Sequence, residues 1–223
     1  MLACRMSRTS HPLHPSAIKQ FAAIFPWLRR TKTMLAIAFL VYIRATRHLV
    51  YRLQMDNHHH IIITGFMGSG KTTIARGLAR ILGREMLDLD QVIAEREGRT
   101  AREIIEQDGE DAFREKETRN LREVLVKTLP AVIALGGGAW TLESNRDLIS
   151  QYGGITVWLD APFELCWERI LTSGGGRPLA RDETQARMLY GERRPQYALA
   201  NLHVEVPAHK SPDEISAEIA ERL

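Results

Sequence analysis

His60-Ile61-Ile62-Ile63-Thr64-Gly65-Phe66-Met67-Gly68-Ser69-Gly70-Lys71-Thr72 is an apolar run that breaks into a glycine-rich turn. His60–Thr64 predicts a buried strand, and Lys71–Leu82 predicts a helix stopped by Gly83. Between them, Gly65–Thr72 fits G-x-x-x-x-G-K-[ST] in the strand-before, helix-after setting that gives this motif its meaning. Glycines let the backbone approach a phosphate without Cβ clashes. The amides of Gly68, Ser69, Gly70, Lys71, Thr72 and Thr73, at a helix N-terminus, supply oriented donors and a positive dipole. Lys71 is expected to reach the β- and γ-phosphates of ATP, and the Thr72 hydroxyl to ligate Mg²⁺.

Working outward, short apolar runs alternate with helical patterns. Strands are predicted at Glu85–Leu89, Ala131–Leu135, Ile155–Leu159 and His203–Val206. Helices are predicted at Asp111–Thr128, Leu142–Gln151, Phe163–Leu171 and Asp182–Arg194. Thr100-Ala-Arg-Glu103 reads as a capping box, and so does Ser211-Pro-Asp-Glu214. This alternation implies an α/β fold with a parallel sheet, whose ligands sit at the carboxyl ends of the strands.

The second predicted strand ends Leu87-Asp88-Leu89-Asp90. In an extended chain Asp88 and Asp90 point the same way, so both are expected to face the site. Asp88 would hold metal-bound water. Asp90 would bind an acceptor alcohol and take its proton, unless it merely caps the next helix. The third strand ends in Gly136-Gly137-Gly138 with no Asp, which argues against a motor-type metal site and favours a close backbone approach to a substrate.

GFMGSGKT, LDLD, GEDAFREKE, ALGGGA, GGGRPLA and ERRPQY occur in this order over residues 60–222, and the set closely resembles the shikimate kinase family. The resemblance implies a P-loop NTPase fold like the nucleoside-monophosphate kinases, with a five-stranded parallel sheet in the order 2-3-1-4-5. It implies Asp90 on substrate hydroxyls, Asp88 near the metal, Arg114 and Arg193 on the shikimate carboxylate, and Gly136, Gly137 and Gly138 lining the pocket. It places substrate-binding helices at about 91–125 and a lid at about 172–182, whose Arg177 closes over the phosphates. The activity it implies is Mg-dependent transfer of the ATP γ-phosphate to the 3-hydroxyl of shikimate, in aromatic amino-acid biosynthesis. Each arginine has a plainer reading as a surface ion pair; Arg114 has acidic neighbours, and Arg194 competes with Arg193. Two positions depart from the family. Arg169 stands one residue short of a lid pattern that packs on adenine, and Trp140 replaces an aliphatic residue after the glycines.

Residues 1–57 form a separate unit by composition. The first 55 residues hold nine of the 30 Lys and Arg and no acid, so the remainder carries 21 basic and 27 acidic residues. The overall charge of +3 therefore belongs to this leader, and the 58–223 domain gives no compositional argument for nucleic-acid binding. Met34–Ile43 is too short to span a membrane, where about 20 apolar residues are needed. The leader is read as an upstream extension before Met55, with a targeting or membrane-surface segment, or a small folded unit, as alternatives. Two distant cysteines, Cys4 and Cys166, indicate a reducing compartment, and a cytoplasmic monomer is expected. His58-His59-His60 reads as a strand entry rather than a metal site. Two other functions share the motif: a kinase for another small acid such as gluconate, and a nucleotide-binding module without turnover.

Overall fold

The computed structural model describes residues 59–126, 129–172 and 182–223. The leader, with His58, and the lid segment that contains Arg177 lie outside the described residues.

Five strands form one sheet: β1 (Ile61–Thr64), β2 (Glu85–Asp88), β3 (Ala131–Ala134), β4 (Ile155–Asp160) and β5 (Leu202–Glu205), in the order β2-β3-β1-β4-β5. Every neighbouring pair is parallel, with Ile62 level with Ile133 and Thr156 across β1. The central strands β1 and β3 are buried along their whole length, which is why their sequences run apolar without alternation. The fold class and strand order match the expectation. Four strand ends (Thr64, Glu85, Ala131 and Ile155) fall where expected and the rest move by one residue, so that β4 extends to Asp160 where Leu159 was expected.

The helices are α1 (Lys71–Leu82), α2 (Leu89–Glu97), α3 (Ala101–Asp108), α4 (Glu110–Leu125), α5 (Glu143–Gln151), α6 (Phe163–Thr172), α7 (Glu183–Tyr197) and α8 (Pro212–Arg222). Both capping boxes form, at Thr100 for α3 and at Ser211 for α8. Helix α7 corrects the expectation that it ends before Pro195. Proline in a helix interior loses one backbone donor and usually breaks the run, yet α7 continues through Pro195 to Tyr197. The extra turn matters, because it sets Arg193 and Tyr197 four residues apart on one helical face.

Helix α4 is tied to α2 by ion pairs of Lys116 and Arg119 with Glu97, and of Arg96 with Glu123. It is tied to the turn after β3 by Asn145, which accepts from the Thr118 hydroxyl at 2.8 Å and donates to Ala139 O at 2.9 Å. Helices α2 and α4 are thereby fixed to the end of β3. His59 Nδ1 meets Gly153 O and His60 Nδ1 accepts from Ala131 N, so both serve the strand entry.

Candidate active site

The glycine-rich loop leaves β1 and enters α1 through three residues in the left-handed region, Gly65, Gly68 and Gly70. At Gly68, φ is +77° and an added Cβ would lie 2.5 Å from the carbonyl oxygen of Cys166 on α6. Only glycine fits there. Gly70 caps α1 without a side-chain hydrogen bond, so the first amides of the helix face the loop's concavity uncapped by protein side chains. Lys71 curls over the loop and donates from Nζ to Gly65 O at 3.0 Å and Phe66 O at 2.9 Å. The buried Ser69 hydroxyl has no hydrogen-bond partner, a polar atom left over in the cradle.

Thr72, in the first turn of α1, donates from its hydroxyl to Asp88 Oδ2 at 2.6 Å. The other oxygen of Asp88 accepts from Asp90 N at 3.1 Å. This corrects the reading of Leu87–Asp90 as one extended stretch. The strand stops at Asp88, Asp88 is the N-cap of α2, and Leu89 and Asp90 are already helical. The two carboxylates therefore do not line up by strand alternation. Asp88 turns toward Thr72. Asp90 turns toward the end of β3, where a Cβ on Gly136 would lie 2.6 Å from its Oδ1. The helix cap is Asp88, not Asp90.

Gly136–Gly138 is the floor on which the remaining groups converge. A Cβ on Gly136 would also meet Glu117 Oε1 at 3.0 Å, one on Gly137 would stand 3.6 Å from Arg193, and one on Gly138 would strike the Arg114 guanidinium at 2.4 Å. Asp90, Glu117, Arg114 and Arg193 thus close over three successive residues without side chains. Arg114 donates to Glu117 at 2.8 Å and to Glu110 at 2.9 Å, and its side chain is only 15% exposed. Burial opposes its charge, but the two glutamates outweigh burial and raise its pKa. The competition between neighbouring arginines resolves by direction. Arg193 is buried, while Arg194 is half-exposed and reaches Asp160 at 2.7 Å.

Glu117 is the residue that sequence reasoning missed, counting it only among the acidic surroundings of Arg114. It is fully buried, and its Oε1 has no hydrogen-bond partner. Burial pushes its carboxyl up to about 7; Arg114 and Arg193 pull it down, while the nearby Asp90 adds to the rise. The available signal was its spacing of three from Arg114 on the face that also buries Leu121.

On the other side of the loop, Arg169 donates to Gly68 O at 3.2 Å. It lines a cavity of about 200 Å³ with Gly70, Thr73, Ile74, Val206, Lys210, Pro212 and Ile215. Trp140 is not among the side chains nearest the glycine floor. Its indole donates to Gln196 O at 2.9 Å and packs toward a separate cavity bounded by α5 and the start of β4. Among the described residues no helix is long and apolar enough to cross a membrane.

A glycine-rich loop between β1 and α1, the Thr72–Asp88 pair beside it and two arginines over a glycine floor are what a P-loop phosphotransferase of small molecules would carry. The comparisons agree. Residues 67–223 match the family model described as shikimate kinase. The chain is 37% identical over 172 residues to the shikimate kinase of Ruegeria pomeroyi, an alignment covering 74% of this chain and 87% of that protein. It superposes on the structure of shikimate kinase from Acinetobacter baumannii in complex with shikimate with a TM-score of 0.68 at 36% identity, over 74% of this chain and 92% of that one. The Aquifex aeolicus shikimate kinase gives 0.61 at 34% identity, over 73% and 94%. The chain belongs to the shikimate kinase family.

Proposed function

We propose that this chain transfers the γ-phosphate of ATP to the 3-hydroxyl of shikimate. One observation carries the reading: Asp90, Arg114 and Arg193 come from three different helices and converge on the glycine floor, next to the P-loop. An alcohol that also bears a carboxylate fits such a pocket. Two guanidinium groups match one carboxylate, and the Asp90 carboxylate on the same floor matches a hydroxyl that must lose a proton.

In this reading the phosphates of ATP rest on the amides of Gly68–Thr73, and Lys71 moves from the loop carbonyls to the β- and γ-phosphates. The cavity beside Thr73 and Arg169 takes the adenine, so Arg169 fills the role its short spacing put in question. Thr72 and Asp88 offer two hard oxygen donors 2.6 Å apart, which suits Mg²⁺. Bound there, the ion would neutralise phosphate charge. Asp90 holds the acceptor hydroxyl and takes its proton, Arg114 and Arg193 hold the acid, and Arg177 supplies a lid cation. Residues 58–223 are the catalytic domain, with residues 1–57 as a leader outside it, and the domain is proposed to act as a monomer in the cytoplasm on a small molecule, without nucleic acid or membrane.

A coupled ADP-release assay of the full chain with Mg-ATP tests the reading. Turnover is expected with shikimate and not with gluconate or nucleoside monophosphates. Turnover with gluconate alone would make it a kinase for a different acid, and ATP binding with no turnover on any acceptor would make it a binding module.

A further inference from the structure

We propose that the Tyr197 hydroxyl is a positioning group for the acceptor pocket, holding the Gly137–Gly138 peptide so that its N–H is presented to the substrate's oxygen atoms. The proposal rests on the acceptor reading above. Tyr197 is 2% exposed, in the last turn of α7, and its hydroxyl donates to Gly137 O.

The other two carbonyls of the glycine floor are tied locally. Gly136 O accepts from Ala139 N at 3.1 Å, and Gly138 O accepts from Thr141 N at 3.1 Å and from the Thr141 hydroxyl at 2.7 Å. The middle carbonyl is instead held by a side chain 60 residues away. In a trans peptide the C=O and the following N–H point in opposite directions. Fixing Gly137 O on the Tyr197 side therefore turns Gly138 N–H to the other side of that peptide plane. Glycine has little conformational preference of its own, so this peptide depends on its tether for orientation.

Tyr197 also flanks the cation that shares the floor. The Arg193 guanidinium lies beside the same hydroxyl, acting mainly as a neighbouring charge, and Arg193 stands four residues earlier on the helix. The Tyr197 ring stacks on Trp158 of β4 at 6.3 Å between centroids, which leaves the ring little room to swing. Burial pushes the phenol up to about 12, so it remains a donor across the working pH range. A hydroxyl that only satisfied itself would have no reason to bridge the acceptor floor and the helix that carries its second arginine.

The test is Tyr197→Phe in the full chain, which deletes one oxygen and keeps the ring. Steady-state assays vary shikimate at saturating Mg-ATP and the reverse, with wild type in parallel. A rise of ~10-fold in shikimate KM is expected, with kcat reduced by less than about threefold and ATP KM unchanged. Unchanged shikimate KM overturns the proposal, and equal losses in both substrates reduce Tyr197 to a packing residue. A second measurement on wild type does not depend on how the variant folds: the Gly138 amide resonance must shift when shikimate saturates the chain, and an unmoved resonance also overturns it. Wild type inactive on shikimate would sink the functional reading and this one together, an outcome distinct from an active wild type with an indifferent Phe variant.

Discussion

Glu117 puts a carboxyl group with no exposure beside two arginines and a second carboxylate, and its charge state decides what Arg114 can do. An ionised Glu117 competes with an incoming carboxylate for the Arg114 guanidinium. A protonated one leaves that guanidinium to the substrate. Its carboxyl sits at about 7 in the folded chain against an ordinary 4.5. Between these values the unfolded chain releases a proton that the folded chain keeps. The stability contributed by this group is therefore complete below about pH 4.5 and is lost as pH rises through about 7. With Glu117→Gln this contribution to the pH slope disappears. In urea unfolding without ligands, the stability difference between wild type and variant should change by about 3 kcal/mol from pH 4.5 to 7.5, with wild type losing ground as pH rises. A difference independent of pH would show that Glu117 is ionised throughout. The local sequence marks this residue only by its spacing from Arg114, and FREKE reads as a charged surface patch until the helix face that buries Phe113 and Leu121 is known. Arg114 and Arg193 were legible as candidates, yet the choice between Arg193 and Arg194 needed Asp160, which reaches Arg194 from a strand 34 residues away in sequence.

At the scale of elements, all five strands and the P-loop could be read from apolar runs bounded by glycine and proline. Two junctions could not. LDLD looks extended because alternation is its strongest local signal, but the Asp88 side chain caps the backbone N–H of Asp90 and starts α2 one residue after the strand ends. Pro195 looks like a helix end, yet packing of Arg193 and Tyr197 against the β3 turn keeps α7 helical for another turn. The glycine floor is where these elements meet, and it makes a sharp prediction. Gly138 has φ −103° and ψ −14°, a backbone that alanine accepts. The three atoms nearest its Cβ would all belong to the guanidinium end of Arg114, a flexible tip that can move aside. Gly138→Ala should therefore fold, displace Arg114 and raise shikimate KM by ~10-fold or more, leaving ATP KM unchanged. Unfolding curves and two-substrate kinetics check this together. An unaltered shikimate KM would mean that Arg114 does not hold the acid. At Gly68 the same substitution meets the Cys166 backbone at positive φ, so there the loop itself should fail.

The described domain places the P-loop and the glycine floor at one edge of a parallel sheet. The P-loop follows β1, Asp88 ends β2, the glycine floor follows β3, and α7 brings Arg193 back over that floor. The described site residues all fall between Gly65 and Ile215, and Asp56–Leu223 forms one compact unit with its own core. Among the described residues that core runs from Ile61 to Ile219, and the acid-free composition of the leader was the clearest boundary in the sequence. A domain whose core and site are self-contained is expected to tolerate removal of a flanking segment. A chain that starts at Met55 should keep kcat/KM for shikimate and for ATP within about twofold of the full chain, and its thermal midpoint within about 3 °C, the shift that ~1 kcal/mol causes in a domain of this size. Parallel kinetics and thermal unfolding of the two forms measure both quantities. A large loss of kcat/KM with an unchanged midpoint would assign the leader a part in the active site, and a large fall in the midpoint would make it part of the fold.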